Sequence, residues 1–208
     1  MKVHTIGDSH SSFGWPADMI ISHGLGPCLC YSFGKDPFAR CKFTEYGIRD
    51  GDVVIFCLGE IDCRCHIYKH VSGTLSYQSI INEIAVAYLS AIKALVSASG
   101  LKDLRIYVYN IVPPVHKALV PNNPEFPFLG TDQDRLQYAL YFNAVLRRLC
   151  TDDIGFFDIY SKYSDSTGFI RYELSDYMVH IKDGTYIREH LNNILISIPR
   201  VGNQIDNP

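Results

Sequence analysis

Two strand-length runs with scarcely a polar residue, Asp52 to Leu58 (DVVIFCL) and Arg105 to Val112 (RIYVYNIV), constrain the fold of this chain more than any other feature. A strand with one face in water alternates apolar and polar residues. A continuous apolar run instead suits a strand covered on both faces, as in a parallel sheet between two helical layers. Three weaker segments join them. Lys2 to Ile6 is partly β-branched and ends at Gly7, Ile154 to Ile159 (IGFFDI) reads as a fourth strand, and residues 19 to 23 as a fifth.

Helical patterns stand between these runs. Residues 77 to 98 place Ile80, Ile84, Ala87, Ala91 and Leu95 at helical spacing, and Gly100 supplies a stop. Residues 132 to 149 follow Thr131, which has Asp134 three positions on in the manner of a capping box, and carry Leu136, Leu140, Asn143 and Leu146. A last helix, from about 185 to 196, follows Asp183-Gly184. Strands alternating with helices predict an α/β fold with a mostly parallel central sheet, and 208 residues without a linker or repeat predict one domain, 1–208. Residues 113 to 131 are long and proline-rich, a packed surface loop or a lid beside a site.

Charge and cysteine usage exclude several classes. A formal charge of −3 with no basic run lacks the electrostatic footprint of a nucleic-acid partner. The seven cysteines (28, 30, 41, 57, 63, 65 and 150) are an odd number, and no leader-like segment precedes the first strand, which points to a reducing, cytoplasmic setting. Cys28/Cys30 and Cys63/Cys65 have one intervening residue, whereas zinc knuckles need two to four, so the cysteines read as small buried side chains and no metal or other cofactor is expected. The longest apolar candidate for a span, residues 80 to 98, is interrupted by Asn82, Glu83 and Lys93, and a soluble protein with no membrane partner is expected. The oligomeric state stays open.

The chemistry-bearing residues fall in three blocks. Gly7-Asp8-Ser9-His10 lies just past the carboxyl end of the first strand, the edge at which open parallel sheets bind ligands. Ser9 there is either a nucleophile or the cap of a short helix over 11 to 17. CLGEIDCR brings Gly59, Glu60, Asp62 and Arg64 to the same edge after the second buried strand, and LSDYMVHIKD sets Asp176 and His180 four residues apart. A serine hydroxyl is a poor nucleophile at neutral pH and needs an imidazole in reach and a group to orient it. His180 and Asp176 are of the types that supply both.

These three blocks together resemble the SGNH (GDSL-like) hydrolases, which include acyl esterases, lipases and carbohydrate O-acetyl esterases. The resemblance spans Gly7-Asp8-Ser9, Gly59-Glu60-Ile61-Asp62 and Asp176 to His180. It implies a three-layer α/β/α sandwich of flavodoxin-like type, with Ser9 as nucleophile, His180 as base and Asp176 as its orienter. It also implies an oxyanion hole from the Ser9 amide, the amide of a loop glycine (Gly26 in HGLGP, with Gly24 second) and usually an asparagine. This chain is similar to a divergent branch: Gly59-Glu60-Ile61-Asp62 replaces the usual Gly-x-Asn-Asp, so isoleucine stands where the asparagine donates, and the Asp-to-His spacing is one residue longer than usual. Loss of one oxyanion donor costs ~10²–10³ in rate, so Arg64 or a nearby amide completes the hole, or the protein is slow.

Other residues have plainer readings. His10 reads as a solvated or backbone-bonded loop residue, with substrate contact as the alternative; His66 and His70 as surface residues; His190, behind Glu189, as the runner-up base. For Arg64, an ion pair with Glu60 or Asp62 and contact with substrate weigh equally. Gly-Asp-x-His also opens a metallophosphoesterase pattern, but the blocks that must follow it are missing. The expected function is a serine esterase acting through an acyl-enzyme on a small-molecule ester, an acylated glycan being favoured over a lipid. An O-acyltransferase and a catalytically weakened domain binding a sugar or acylated ligand are the alternatives.

Overall fold

The computed structural model describes residues 1–151 and 153–197. In chain order its elements are strands β1 (Val3–Gly7) and β2 (Ile20–Gly24), helices α1 (Cys30–Lys35) and α2 (Pro37–Arg40), strand β3 (Val53–Cys57), helix α3 (Tyr77–Ser99), strand β4 (Arg105–Tyr109), helix α4 (Asp132–Leu149), strand β5 (Ile154–Phe157), and helices α5 (Tyr160–Tyr163) and α6 (Thr185–Ser197). Among the described residues the five strands form one sheet, every pair parallel, in the order β2-β1-β3-β4-β5. The α/β sandwich read from the sequence is the fold observed.

The central strand shows why its sequence is apolar throughout. Val54 and Phe56 of β3 pack on one side into a core shared with Phe33 of α1, Ile81, Ile84 and Ile92 of α3, and Phe142 and Leu146 of α4. Val53, Ile55 and Cys57 point the other way, into a second core with Trp15, Phe157, and Ile187 and Leu191 of α6. A strand's side chains alternate between faces, and here both faces are dry.

Strand β4 is shorter than the run that predicts it. The chain leaves the ladder at Asn110, whose amide nitrogen donates to the Phe157 carbonyl and whose side-chain oxygen accepts from Ile159 N. Asn143, a polar residue on the inner stripe of α4, is explained by the same exit: its side chain binds both the N–H and the C=O of Ile111, at 2.7 and 2.9 Å. Helix α4 is opened by the predicted capping box of Thr131 and Asp134. By length and composition α3 is apolar enough to cross a membrane, which corrects the view that its polar residues exclude a span. Here it is a core helix, with Ile80, Ile81, Ile84, Ala85, Tyr88 and Leu89 buried and Glu83 and Lys93 on its outer side.

The order 2-1-3-4-5 reverses direction between β1 and β3, and the loops that leave the carboxyl ends of those two strands diverge there. Ser9 follows β1 and Glu60 to Arg64 follow β3, so two of the three sequence blocks meet at this crevice.

Candidate active site

The turn that carries Ser9 is fixed from beneath. Asp8 caps a 3-10 turn, Ser9–Ser11, by accepting from His10 N at 2.8 Å. The Ser11 carbonyl accepts from Thr5 Oγ1 on β1 and Ser22 Oγ on β2, at 2.5 and 3.0 Å, and Trp15 Nε1 donates to the His10 carbonyl at 2.9 Å. The capping residue is therefore Asp8, and Ser9 keeps its side chain free for another partner.

That partner is His180. Ser9 Oγ lies 2.8 Å from Nε2 of His180, and His180 Nδ1 lies 2.7 Å from Oδ2 of Asp176. The hydroxyl donates to Nε2 and Nδ1–H to the carboxylate, an assignment set by the acceptor-only carboxylate. The extra residue between Asp176 and His180 is absorbed locally. Tyr177 adopts a left-handed conformation (φ 64°), Asp176 Oδ1 accepts from Met178 N and His180 N, and Asp176 N donates to the His180 carbonyl. Burial works against the Asp176 charge, yet the bonds from the His180 ring and from the His180 and Met178 amides hold its carboxyl below the usual range. His180 also stacks on Phe13, with ring centroids 4.1 Å apart. Phe13 carried no sequence signal beyond its place four residues after Ser9.

Ser9, Gly26, Ile61, Arg64 and His180 line one cavity of about 440 Å³. The N–H groups of Ser9 and Gly26 have no hydrogen-bond partner among the described residues. Gly26 (φ 68°) takes the left-handed form that favours glycine, and Gly24 lines the cavity behind it. Ile61, 6% exposed, lines the cavity with an aliphatic side chain that offers no hydrogen-bond donor.

Arg64 makes the ion pair with Glu60. Nε and Nη2 donate to the two oxygens of Glu60 at 2.7 and 2.9 Å, Nη1 donates to the Phe126 carbonyl at 3.0 Å, and the guanidinium still borders the cavity. Burial would raise the Glu60 carboxyl, but Arg64 holds it below its ordinary value. Asp62 turns away from the cavity: its carboxylate accepts from Cys30 N and Tyr31 N at the start of α1, and burial pushes it up to about 7. Gly59 is a correction to the sequence reading. It is buried at φ 115° against Ile111, outside the cavity lining, and it serves the bend by which the chain leaves β3.

The proline-rich segment supplies a wall that the sequence left undecided between loop and lid. Val120, Pro121, Asn123, Phe126 and Phe128 line the cavity. Arg135, buried at the start of α4, holds the end of this segment by donating to the Leu129 and Gly130 carbonyls, both at 3.0 Å. The Asn123 side-chain oxygen accepts from Glu125 N, and its NH₂ group has no partner among the described residues. Only proximity in the fold identifies these residues.

His190 sits on α6 with its ring nearly perpendicular to that of Phe157, and among the described residues the ring bonded to Ser9 and Asp176 is that of His180. His66 and His70 pair their rings 4.5 Å apart, and His70 is exposed. Among the described residues no three His, Cys, Asp or Glu side chains converge in a metal-binding arrangement, and the seven cysteines are free thiols.

No family model matches the sequence, and no curated protein matches it. Solved structures do share its fold. A lipase from a goat rumen metagenome is 14% identical, with 93% of this chain and 96% of that one covered at a TM-score of 0.60. A GDSL-like lipase from Bacteroides thetaiotaomicron is 13% identical (94% and 87% covered, TM-score 0.55), and an aryl esterase from M. smegmatis is 17% identical (93% and 99% covered, TM-score 0.52). At these identities the likeness establishes a common fold over nearly the whole chain.

Proposed function

We propose that this chain is a serine ester hydrolase of the SGNH type that works through an acyl-enzyme. The observation that carries the reading is the unbroken relay Ser9–His180–Asp176, at 2.8 and 2.7 Å, opening on a cavity where two backbone amides are unpaired. That solved structures with this fold include proteins described as lipases and an aryl esterase supports it.

Ser9 Oγ attacks the ester carbonyl carbon as its proton passes to His180 Nε2, and Asp176 stabilises the imidazolium that forms. The carbonyl oxygen becomes an oxyanion held by the Ser9 and Gly26 amides. The tetrahedral adduct collapses, the alkoxide leaves with the proton from His180, and an acyl-serine remains. Water, deprotonated by His180, attacks that acyl group, and the carboxylic acid departs as Ser9 recovers its proton. A second alcohol in place of water makes the same steps an acyl transfer.

The cavity wall, built from Pro27, Ile61, Val120, Phe126, Phe128 and Met178, suits an apolar acyl group larger than acetyl. Esters of short to medium chain length are the proposed substrates, and an O-acetylated glycan, the other ester considered, would leave much of this wall unused. The aliphatic Ile61 in the cavity favours a second reading, a weakened domain that binds an acylated ligand without turning it over. A fluorophosphonate probe decides between them: the hydrolase is labelled at Ser9 and hydrolyses activated esters. A chain unlabelled at Ser9 that turns over no ester is the binding domain.

A further inference from the structure

A second histidine and aspartate stand beside the relay. His10 is 5% exposed, with Nδ1 2.9 Å from Asp8 Oδ1 and Nε2 3.2 Å from the Val179 carbonyl oxygen. A neutral imidazole carries one N–H, so against two acceptors it would leave two lone pairs face to face. The two contacts together call for two protons, one on Nε2 towards Val179 and one between Nδ1 and Asp8 Oδ1. The arrangement is satisfied when His10 carries both protons and answers the Asp8 carboxylate.

Val179 immediately precedes His180, so the His10–Val179 bond joins the two segments that must meet for Ser9 and His180 to touch. The two rings lie 4.9 Å apart, tilted by 48°. His180 thus faces Asp176 from its own loop, Ser9, His10 and the ring of Phe13 from the turn after β1, and at longer range Glu60 from beyond β3, whose charge Arg64 answers. His10 faces Asp8, the Val179 carbonyl, His180 and, at longer range, the same Glu60.

We propose that His10 is a positioning residue: as a buried imidazolium between Asp8 and Val179 it clamps the His180 loop onto the Ser9 turn and keeps His180 in its neutral, proton-accepting form. The kinetic consequence rests on the hydrolase reading above; the charge and the clamp rest on the geometry. Burial by itself favours a neutral His10 ring, but Asp8, helped by Glu60, raises it to about 9. For His180, burial and then the His10 charge act downward against the upward pull of Asp176, and the outcome is a value below the ordinary one. Across neutral pH the first ring is charged and the second is ready to take a proton.

Ring ¹⁵N and ¹H NMR of the wild type should show His10 protonated at both nitrogens up to about pH 9. In His10→Gln, which keeps an amide donor without the charge, the His180 midpoint should rise by about one pH unit. The acid limb of kcat/KM on an activated ester should move with it, while the alkaline plateau falls less than about tenfold. His10→Phe, which also removes the donor, should lower the plateau by about 10², the cost of a small misplacement of a catalytic group. A wild-type His10 that titrates near the ordinary value overturns the clamp, and so does a His180 midpoint unmoved in His10→Gln. The wild-type spectra decide the matter even if a variant does not fold. They need no turnover, so a chain that labels with no probe and cleaves no ester defeats the hydrolase reading alone.

Discussion

Nε2 of His180 stands 2.8 Å from Oγ of Ser9, although the two residues are 171 positions apart in the chain. The contact places a hydroxyl at the carboxyl end of β1 against a ring on a five-residue loop near the C-terminal helix. Its functional meaning can be tested directly.

Ser9→Ala and His180→Ala should each reduce hydrolysis of an activated short-chain ester by at least about 10³-fold, and the double variant should be no worse than either, because parts of one relay fail together. Thermal melts should stay within a few degrees of wild type, since Ser9 and His180 are both partly exposed. Wild-type turnover in purified Ser9→Ala would falsify the nucleophile assignment.

Asp176→Asn should slow the reaction by about 10²–10⁴, since an amide cannot hold the correct His180 tautomer. In the wild type, the rate should survive below the ordinary histidine range of about 6.5 and fall only as pH drops through the lowered His180 value, where the base becomes protonated. An acid limb above that range in a pH profile of kcat/KM would contradict the site described.

Asn123 lines the cavity with its side-chain NH₂ unpaired among the described residues, which makes it the side chain to test as a further oxyanion donor. Asn123→Ala should cost about 10²-fold in kcat if that amide supplies the third bond, and adding Ile61→Asn should restore part of the loss. Equal rates for wild type and Asn123→Ala would leave the hole to the two backbone amides.

Arg64 and Glu60 form a buried bidentate pair, so their substitutions should be read first in stability. Arg64→Ala strands a buried carboxylate and should cost about 3–5 kcal/mol in denaturant unfolding, whereas Glu60→Gln with Arg64→Met should recover most of it. If the double variant were as unstable as Arg64→Ala, the cost would lie in lost packing on Phe126 and Phe128.

Alkaline pH should weaken the fold through His10. Its ring is raised to about 9 in the folded chain, so its contribution is fully present below the unfolded value of about 6.5 and lost as pH rises through 9. The unfolding free energy of the wild type should fall over that window, and that of His10→Phe should fall less. Parallel pH curves for the two proteins would mean that His10 is not charged in the native state.

The sequence by itself determined the layers and the three blocks at one edge of the sheet. Both-face burial leaves its mark in every residue of β3, and helical periodicity with the Thr131–Asp134 cap marks α4. Those signals are local, because they arise from strand and helix geometry within a few residues. Gly-Asp-Ser and Asp-to-His drew attention as residue types whose chemistry needs one another, but spacing could not decide whether the longer Asp176–His180 interval would close. Tertiary structure decided that, through the left-handed Tyr177 and the amides that Asp176 gathers. It also decided that Gly59 serves a bend, that Asp62 faces α1, and that side chains between Val120 and Phe128 wall the cavity. The state of His10 belongs to the same class: nothing local distinguishes a solvated loop histidine from a buried cation, and only the approach of Val179 from 169 positions away supplies its second acceptor. Contacts between distant segments depend on how loops leave a finished sheet, and no short stretch of sequence encodes that.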